Sequence, residues 1–272
     1  MRPARKTDEV MGYEAFKFRV EEGVAHVTFN QPERGHPIDL SFATELSRIA
    51  NECGETPGIR SVLIDSCGKY FGVGADLKTM AQDRADLQLF VKNATTLMHS
   101  ALSRLARMDA PVVIAPHGLA VGGFVSLCAA ADFCIAAESA RFYAGYTGIG
   151  LVCDAGGSTF LPRRVGSRRA AEFLLLNETW TAAQAATNGL VSRVVPDAEL
   201  GAQAWALARQ LAQGPTRAFG EIKNLLLSTS EQPIEAQLEL EARAMSRITK
   251  TEDAWTGITD VAAKRTPRFS GR

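Results

Sequence analysis

Two glycine-rich turns constrain this chain more than any other feature: Phe71-Gly72-Val73-Gly74-Ala75-Asp76-Leu77-Lys78 and Gly118-Leu119-Ala120-Val121-Gly122-Gly123-Phe124. Each follows an apolar run that reads as a buried strand, Val62-Leu63-Ile64 before the first and Pro111-Val112-Val113-Ile114-Ala115 before the second. Each also precedes a segment able to start a helix. Glycine lets the backbone approach a ligand and turn its N–H groups outward. A helix N-terminus adds partial positive charge at the same place. Brought together, two such turns can each present one N–H to a developing oxyanion. Glycine after a strand is equally plain turn chemistry in α/β proteins, so either turn alone leaves both readings open.

The rest of the chain reads as strand and helix in alternation. Phe16-Lys17-Phe18-Arg19 and the run from Val24 to Phe29 predict a hairpin around Glu22-Gly23. Asp39 is placed to cap a helix whose Phe42, Leu46 and Ile49 recur at helical spacing. The alternation continues to about Ala140, the pattern of stacked strand–strand–helix units with a mainly parallel sheet. From Arg168 onward the pattern is almost wholly helical, with Pro196, Pro215 and Pro233 at helix starts. The expected organisation is a loose polar tail over 1–13, an α/β core over 14–200 and a helical region over 201–272.

Composition narrows the function classes. Thirty basic and thirty acidic residues cancel, which gives no long-range field for nucleic acid or an anionic membrane. The five cysteines are odd in number and lack Cys-x-x-Cys spacing, which argues against a disulfide framework or a metal site and for a reducing cytoplasm. The polar start, Met1 to Glu9, is followed by no apolar core and reads as no targeting segment. The uncharged stretch from Pro111 to Ala131 is broken by Pro116, His117, Gly118, Gly122 and Gly123, so it reads as strand, turn and helix start rather than a membrane span.

The paired turns resemble the signatures of the enoyl-CoA hydratase/isomerase (crotonase) superfamily. The resemblance runs in register from about Phe16 to the C-terminus and includes Gly148-Ile149-Gly150-Leu151-Val152-Cys153-Asp154-Ala155-Gly156-Gly157-Ser158, Leu161-Pro162-Arg163, Gly189-Leu190-Val191 and Ala263-Lys264-Arg265. It implies a crotonase-type spiral of ββα units with a C-terminal helical region that joins subunits as a homotrimer or a dimer of trimers. It also implies a coenzyme A thioester as substrate, with no permanently bound cofactor.

Carried over position by position, the resemblance places the oxyanion donors at the backbone N–H groups of Ala75 and Gly123. Hydratases of the family activate a water with two glutamates, and those positions hold Ser126 and Tyr146. Neither is a base in the useful pKa range. A carboxylate stands instead at Asp154, as in many of the family's isomerases, including the ring-opening isomerases of phenylacetyl-CoA breakdown. The bland reading of Asp154 is a helix N-cap before Ala155-Gly156-Gly157. His99 occupies the place of a base in the family's dehalogenases, where an aspartate matching Asp154 is the nucleophile. The coenzyme A site is expected around Arg34, His36, Gly74, Ala75, Asp76, Leu77 and Lys78, with Lys264 reaching from a neighbouring subunit. Tyr143, Tyr146 and Ser126 are expected to shape the acyl pocket. The leading expectation is an acyl-CoA isomerase with Asp154 as proton shuttle. The alternatives are a hydrolase or dehalogenase using Asp154 and His99, an atypical hydratase, and a non-catalytic CoA-binding subunit.

Overall fold

The computed structural model describes residues 12–272, so the expected tail lies outside the described residues up to position 11. Tyr13, assigned to that tail, belongs to the body: its hydroxyl donates to Glu52 at 3.2 Å and its ring meets Phe18 edge-on. β1 (Phe16–Glu21) and β2 (Val24–Phe29) form the expected hairpin. Its turn is Glu22 (φ 50°) and Gly23 (φ 79°), a positive-φ pair whose twist suits a two-residue connection. Asp39 caps α1 (Leu40–Glu55) by accepting from the Phe42 N–H at 2.9 Å.

Parallel pairing then extends the sheet through β3 (Ser61–Ser66), β4 (Val112–Ile114), β6 (Phe133–Ala137) and β9 (Arg193–Val195), in the order β1-β2-β3-β4-β6-β9. A second sheet holds β5 (Leu119–Val121), β7 (Arg141–Tyr143) and β8 (Thr179–Thr181) in the order β5-β7-β8. Two isolated bridges, Gly72 with Ala120 and Ile38 with Ala75, carry this stack on towards the first glycine turn. Each unit therefore gives one strand to the large sheet, one extended piece to the second stack, and a helix. α1, α2 (Leu77–Met80) with α3 (Leu87–Arg107), α4 (Gly123–Ala130), and α5 (Gly157–Val165) with α6 (Ser167–Leu175) close successive turns. This is the spiral of ββα units that the family resemblance implied.

The two faces of β3 explain its unbroken apolar run. Val62 and Ile64 enter the main core, while Leu63 faces the opposite cluster with Val113, Ile135 and Val195. That second cluster is closed by Leu200, Ala204, Ala208 and Ala212 of α8 (Leu200–Ala212). The boundary drawn at residue 200 thus separates element types but not packing, because α8 covers the outer face of the sheet. Beyond it lie α9 (Thr216–Ser228), α10 (Ile234–Ile248) and α11 (Glu252–Ala262). Their exposed apolar side chains include Ile222, Leu226, Ile234, Leu238, Met245 and Trp255. The stretch read as almost wholly helical also holds β8, α7 (Ala182–Thr187) and β9. Its three-residue strands are too short to show a period of two.

An aromatic cluster locks the two glycine turns together. Phe29, Phe42, Phe71 and Phe124 are fully buried, and Phe124 lies 5.5 Å from Phe29 and Phe42 and 5.9 Å from Phe71 between ring centroids. Gly72 runs directly beneath the Phe124 ring, and a Cβ there would overlap it. Gly72 also exchanges hydrogen bonds with Leu119 and Val121 at 3.0 and 2.9 Å. Replacing Gly72 with alanine is therefore expected to cost about 1–3 kcal/mol of stability through overpacking. Chemical denaturation of the purified variant measures it.

Candidate active site

The Gly72–Val121 pairing brings both turns to the wall of one cavity of about 450 Å³. Ala75, Gly123, Tyr143, Tyr146 and Asp154 all line it. Gly122 makes the approach possible, with φ 56° and ψ −113°, a left-handed conformation that suits glycine. α4 begins at the next residue, so the Gly123 N–H stands at a helix N-terminus. Neither the Ala75 nor the Gly123 N–H donates a hydrogen bond among the described residues. The Ala75 N–H lies between two backbone bonds that fix its strand: Ile38 N–H to Gly74 at 2.8 Å and Asp76 N–H to Ile38 at 3.2 Å.

Asp154 stands close to Gly123. A Cβ on Gly123 would lie 3.8 Å from Asp154 Oδ1 and 2.8 Å from Ile38 Cδ1, so a side chain at 123 has little room. Burial pushes the Asp154 carboxyl above its ordinary pKa, while the Tyr146 hydrogen bond and His99 pull it back. The Tyr146 hydroxyl donates to Asp154 Oδ1 at 2.8 Å, and burial beside this carboxylate raises the phenol far above its usual value. Tyr146 thus remains a donor. Ser126 is buried, does not line the cavity, and donates to the Asp154 backbone carbonyl at 3.1 Å. Ser126 and Tyr146, expected to stand where a hydratase carries glutamates, both bind Asp154.

The cap reading of Asp154 fails. α5 starts after Gly156 with no side-chain cap bond, and its Gly157 N–H donates to the backbone carbonyl of Asp154, not to its carboxylate. His99 is exposed on α3, and its Nε2 accepts the Ala155 N–H at 3.2 Å, which puts a proton on Nδ1 in the neutral ring. Tyr143 lines the cavity with its hydroxyl held by Asn177 Nδ2 at 2.7 Å, a partner absent from the sequence reading.

The expected coenzyme A residues divide. Gly74, Ala75 and Leu77 line the cavity, and Lys78, next in sequence, is exposed. Arg34 bridges the caps of two helices, reaching Asp39 at 2.9 Å and Asp76 at 2.8 Å. Two carboxylates neutralise it, so it offers coenzyme A no unpaired charge. The His36 ring is buried, accepts the Gln31 N–H at Nδ1 and meets the Cys67 carbonyl through Nε2. Its backbone N–H also donates to the Gln31 carbonyl at 3.1 Å, so His36 supports the turn and offers no exposed group to a ligand. Lys264 lies exposed after α11 and lines no part of this cavity.

Among the described residues, no three or more His, Cys, Asp or Glu side chains are arranged to hold a metal ion. No helix among them is long and apolar enough to cross a membrane.

Residues 19–272 match the family model described as enoyl-CoA hydratase/isomerase. The chain belongs to that family and acts on acyl-CoA thioesters. It is 33% identical over 263 residues to a protein of Rhodobacter capsulatus described as a probable enoyl-CoA hydratase, covering 96% of this chain and 100% of the relative. It is also 33% identical over 257 residues to the 1,2-epoxyphenylacetyl-CoA isomerase of Escherichia coli, covering 93% and 97%. Among solved structures, an enoyl-CoA hydratase from Bacillus anthracis superposes with a TM-score of 0.88 at 28% identity, covering 95% of this chain and 100% of that one.

Proposed function

We propose that the protein is an acyl-CoA isomerase that works through a thioester enolate. In this reading the N–H groups of Ala75 and Gly123 hold the enolate oxygen, and Asp154 carries a proton from one carbon of the acyl group to another. The observation that carries the proposal is that Asp154 is the one carboxylate among the described residues lining the cavity. Enolate chemistry needs two fixed donors and one base, and the cavity offers that set. Syn hydration would need a second group to hold and deprotonate water, and Ser126 and Tyr146 are committed to Asp154.

Hydratase is the second reading, favoured by the names of relatives such as the Rhodobacter capsulatus protein. Crotonyl-CoA separates the two. The isomerase reading expects slow or no hydration, followed as loss of the conjugated absorbance. Rapid formation of 3-hydroxybutyryl-CoA would favour the hydratase. The hydrolytic alternative needs His99 as a base, and the Ala155 N–H occupies its Nε2 lone pair. A silent CoA-binding subunit would not need a carboxylate 3.8 Å from the Gly123 Cβ position.

The same proposal places coenzyme A along Gly74, Ala75, Leu77 and Lys78, and takes the exposed apolar faces of α9, α10 and α11 as subunit contacts in a homotrimer or dimer of trimers. Lys264 would then serve a neighbouring subunit's CoA. The five free thiols fit a cytoplasmic location.

A further inference from the structure

Asp154 lies on the wall of two cavities. The first is the apolar cavity of the proposed acyl site, and the second, of about 360 Å³, lies behind it. α3 forms the partition. Thr95 and Met98 face the first cavity, while His99, Leu102 and Ser103 face the second. The other half of the partition is the turn Asp154-Ala155-Gly156, where Ala155 (φ 48°) and Gly156 (φ 77°) are both left-handed. The bond from the Ala155 N–H to His99 Nε2 ties the two halves together.

The linings differ in chemistry. Behind Asp154 the wall carries Ser103, Arg107, Ser158, Thr159, Arg163 and Glu231, a polar set able to hold ordered water. His99, Ser103, Ser158 and Thr159 are exposed, so this space is continuous with solvent. The Asp154 carboxyl spends Oδ1 on Tyr146, whereas Oδ2 takes no hydrogen bond among the described residues.

We infer that the second cavity is a proton port, through which Asp154 exchanges its proton with bulk water while the acyl group fills the first cavity. The inference rests on the isomerase reading and adds a route to it. Asp154 takes H⁺ from a carbon of the acyl group, leaving the enolate. The port exchanges that proton for one from water, and Asp154 delivers the new proton to a second carbon. The sum is isomerisation with solvent hydrogen in the product and no change of oxidation state. Without the port, an occupied acyl cavity would force the same proton back.

The test uses turnover in heavy water with mass analysis of the product. The wild type should yield isomerised product that carries solvent deuterium. Ser103→Trp fills the port from α3, and Thr159→Phe fills it from α5. Both side chains are exposed, and neither belongs to the proposed catalytic set. Each variant is expected to lower the deuterium content of the product to less than about half, because the space for a water chain is gone. Isomerisation itself should continue. Undiminished label in both folded variants, or product free of deuterium from the wild type, overturns the port and leaves the isomerase reading standing. Failure of the wild type to isomerise any acyl-CoA offered overturns that reading and the port with it.

Discussion

Replacing Asp154 with asparagine is expected to lower turnover by about 10²–10⁴-fold, the range of a positioned general base, while making the folded protein more stable at neutral pH. The substitution keeps the shape and leaves an oxygen to accept the Tyr146 hydroxyl, but removes the base. The stability change follows from burial, which holds the Asp154 carboxyl above its ordinary pKa in the folded state. At a pH below the unfolded value both states are protonated, and the carboxyl costs nothing. As pH rises through the folded value, the fold must ionise a group it prefers neutral, and stability is lost. The asparagine variant escapes this loss. Its melting temperature should exceed that of the wild type by a margin that grows as pH rises above the unfolded aspartate value, about 4, and levels off once the folded carboxyl has ionised. For the same reason, the acid limb of the wild-type rate profile should fall at a pKa above that of an ordinary aspartate. A variant with equal turnover, or one whose stability margin shrinks as pH rises, would remove Asp154 from the mechanism.

Gly123→Pro is expected to reduce turnover by about a hundredfold or more, the effect of losing one oxyanion donor. Position 123 is the first residue of α4, the place where a helix tolerates proline because its N–H has no intrahelical partner. The side-chain cost falls on Ile38 Cδ1, the movable end of a flexible side chain. Circular dichroism should therefore report a folded protein that has lost the donor. Full activity in a folded variant would end the role of Gly123.

Much of this architecture is visible in the chain before folding. The hairpin, the Asp39 cap and the helix starts after Pro215 and Pro233 follow from local turn and capping chemistry, which acts over a few residues. The two glycine turns are legible as turns, and the structure joins them through Gly72 and β5. What the sequence hides are partners chosen by the fold. Ser126 and Tyr146 are legible as missing glutamates, but their hold on Asp154 spans 28 and 8 residues and exists only once α4 and the segment after β7 meet. Arg34 looks like a free cation at the coenzyme A site until Asp76, 42 residues away, closes on it. His99 looks like a base until the left-handed turn at Ala155 points an N–H at its ring. The polar cavity behind Asp154 has no sequence signal, since its walls come from α3, the turn at Asp154, α5, and the end of α9 with the chain after it.

The most direct test of the central claim is a panel of acyl-CoA thioesters incubated with the protein in heavy water, with the thioester products resolved by mass. At least one substrate should be converted to an isomer that remains a CoA thioester, with the conversion abolished in Asp154→Asn. Water added across a double bond as the main product, or free CoA released with a substrate-derived mass on Asp154, would contradict it.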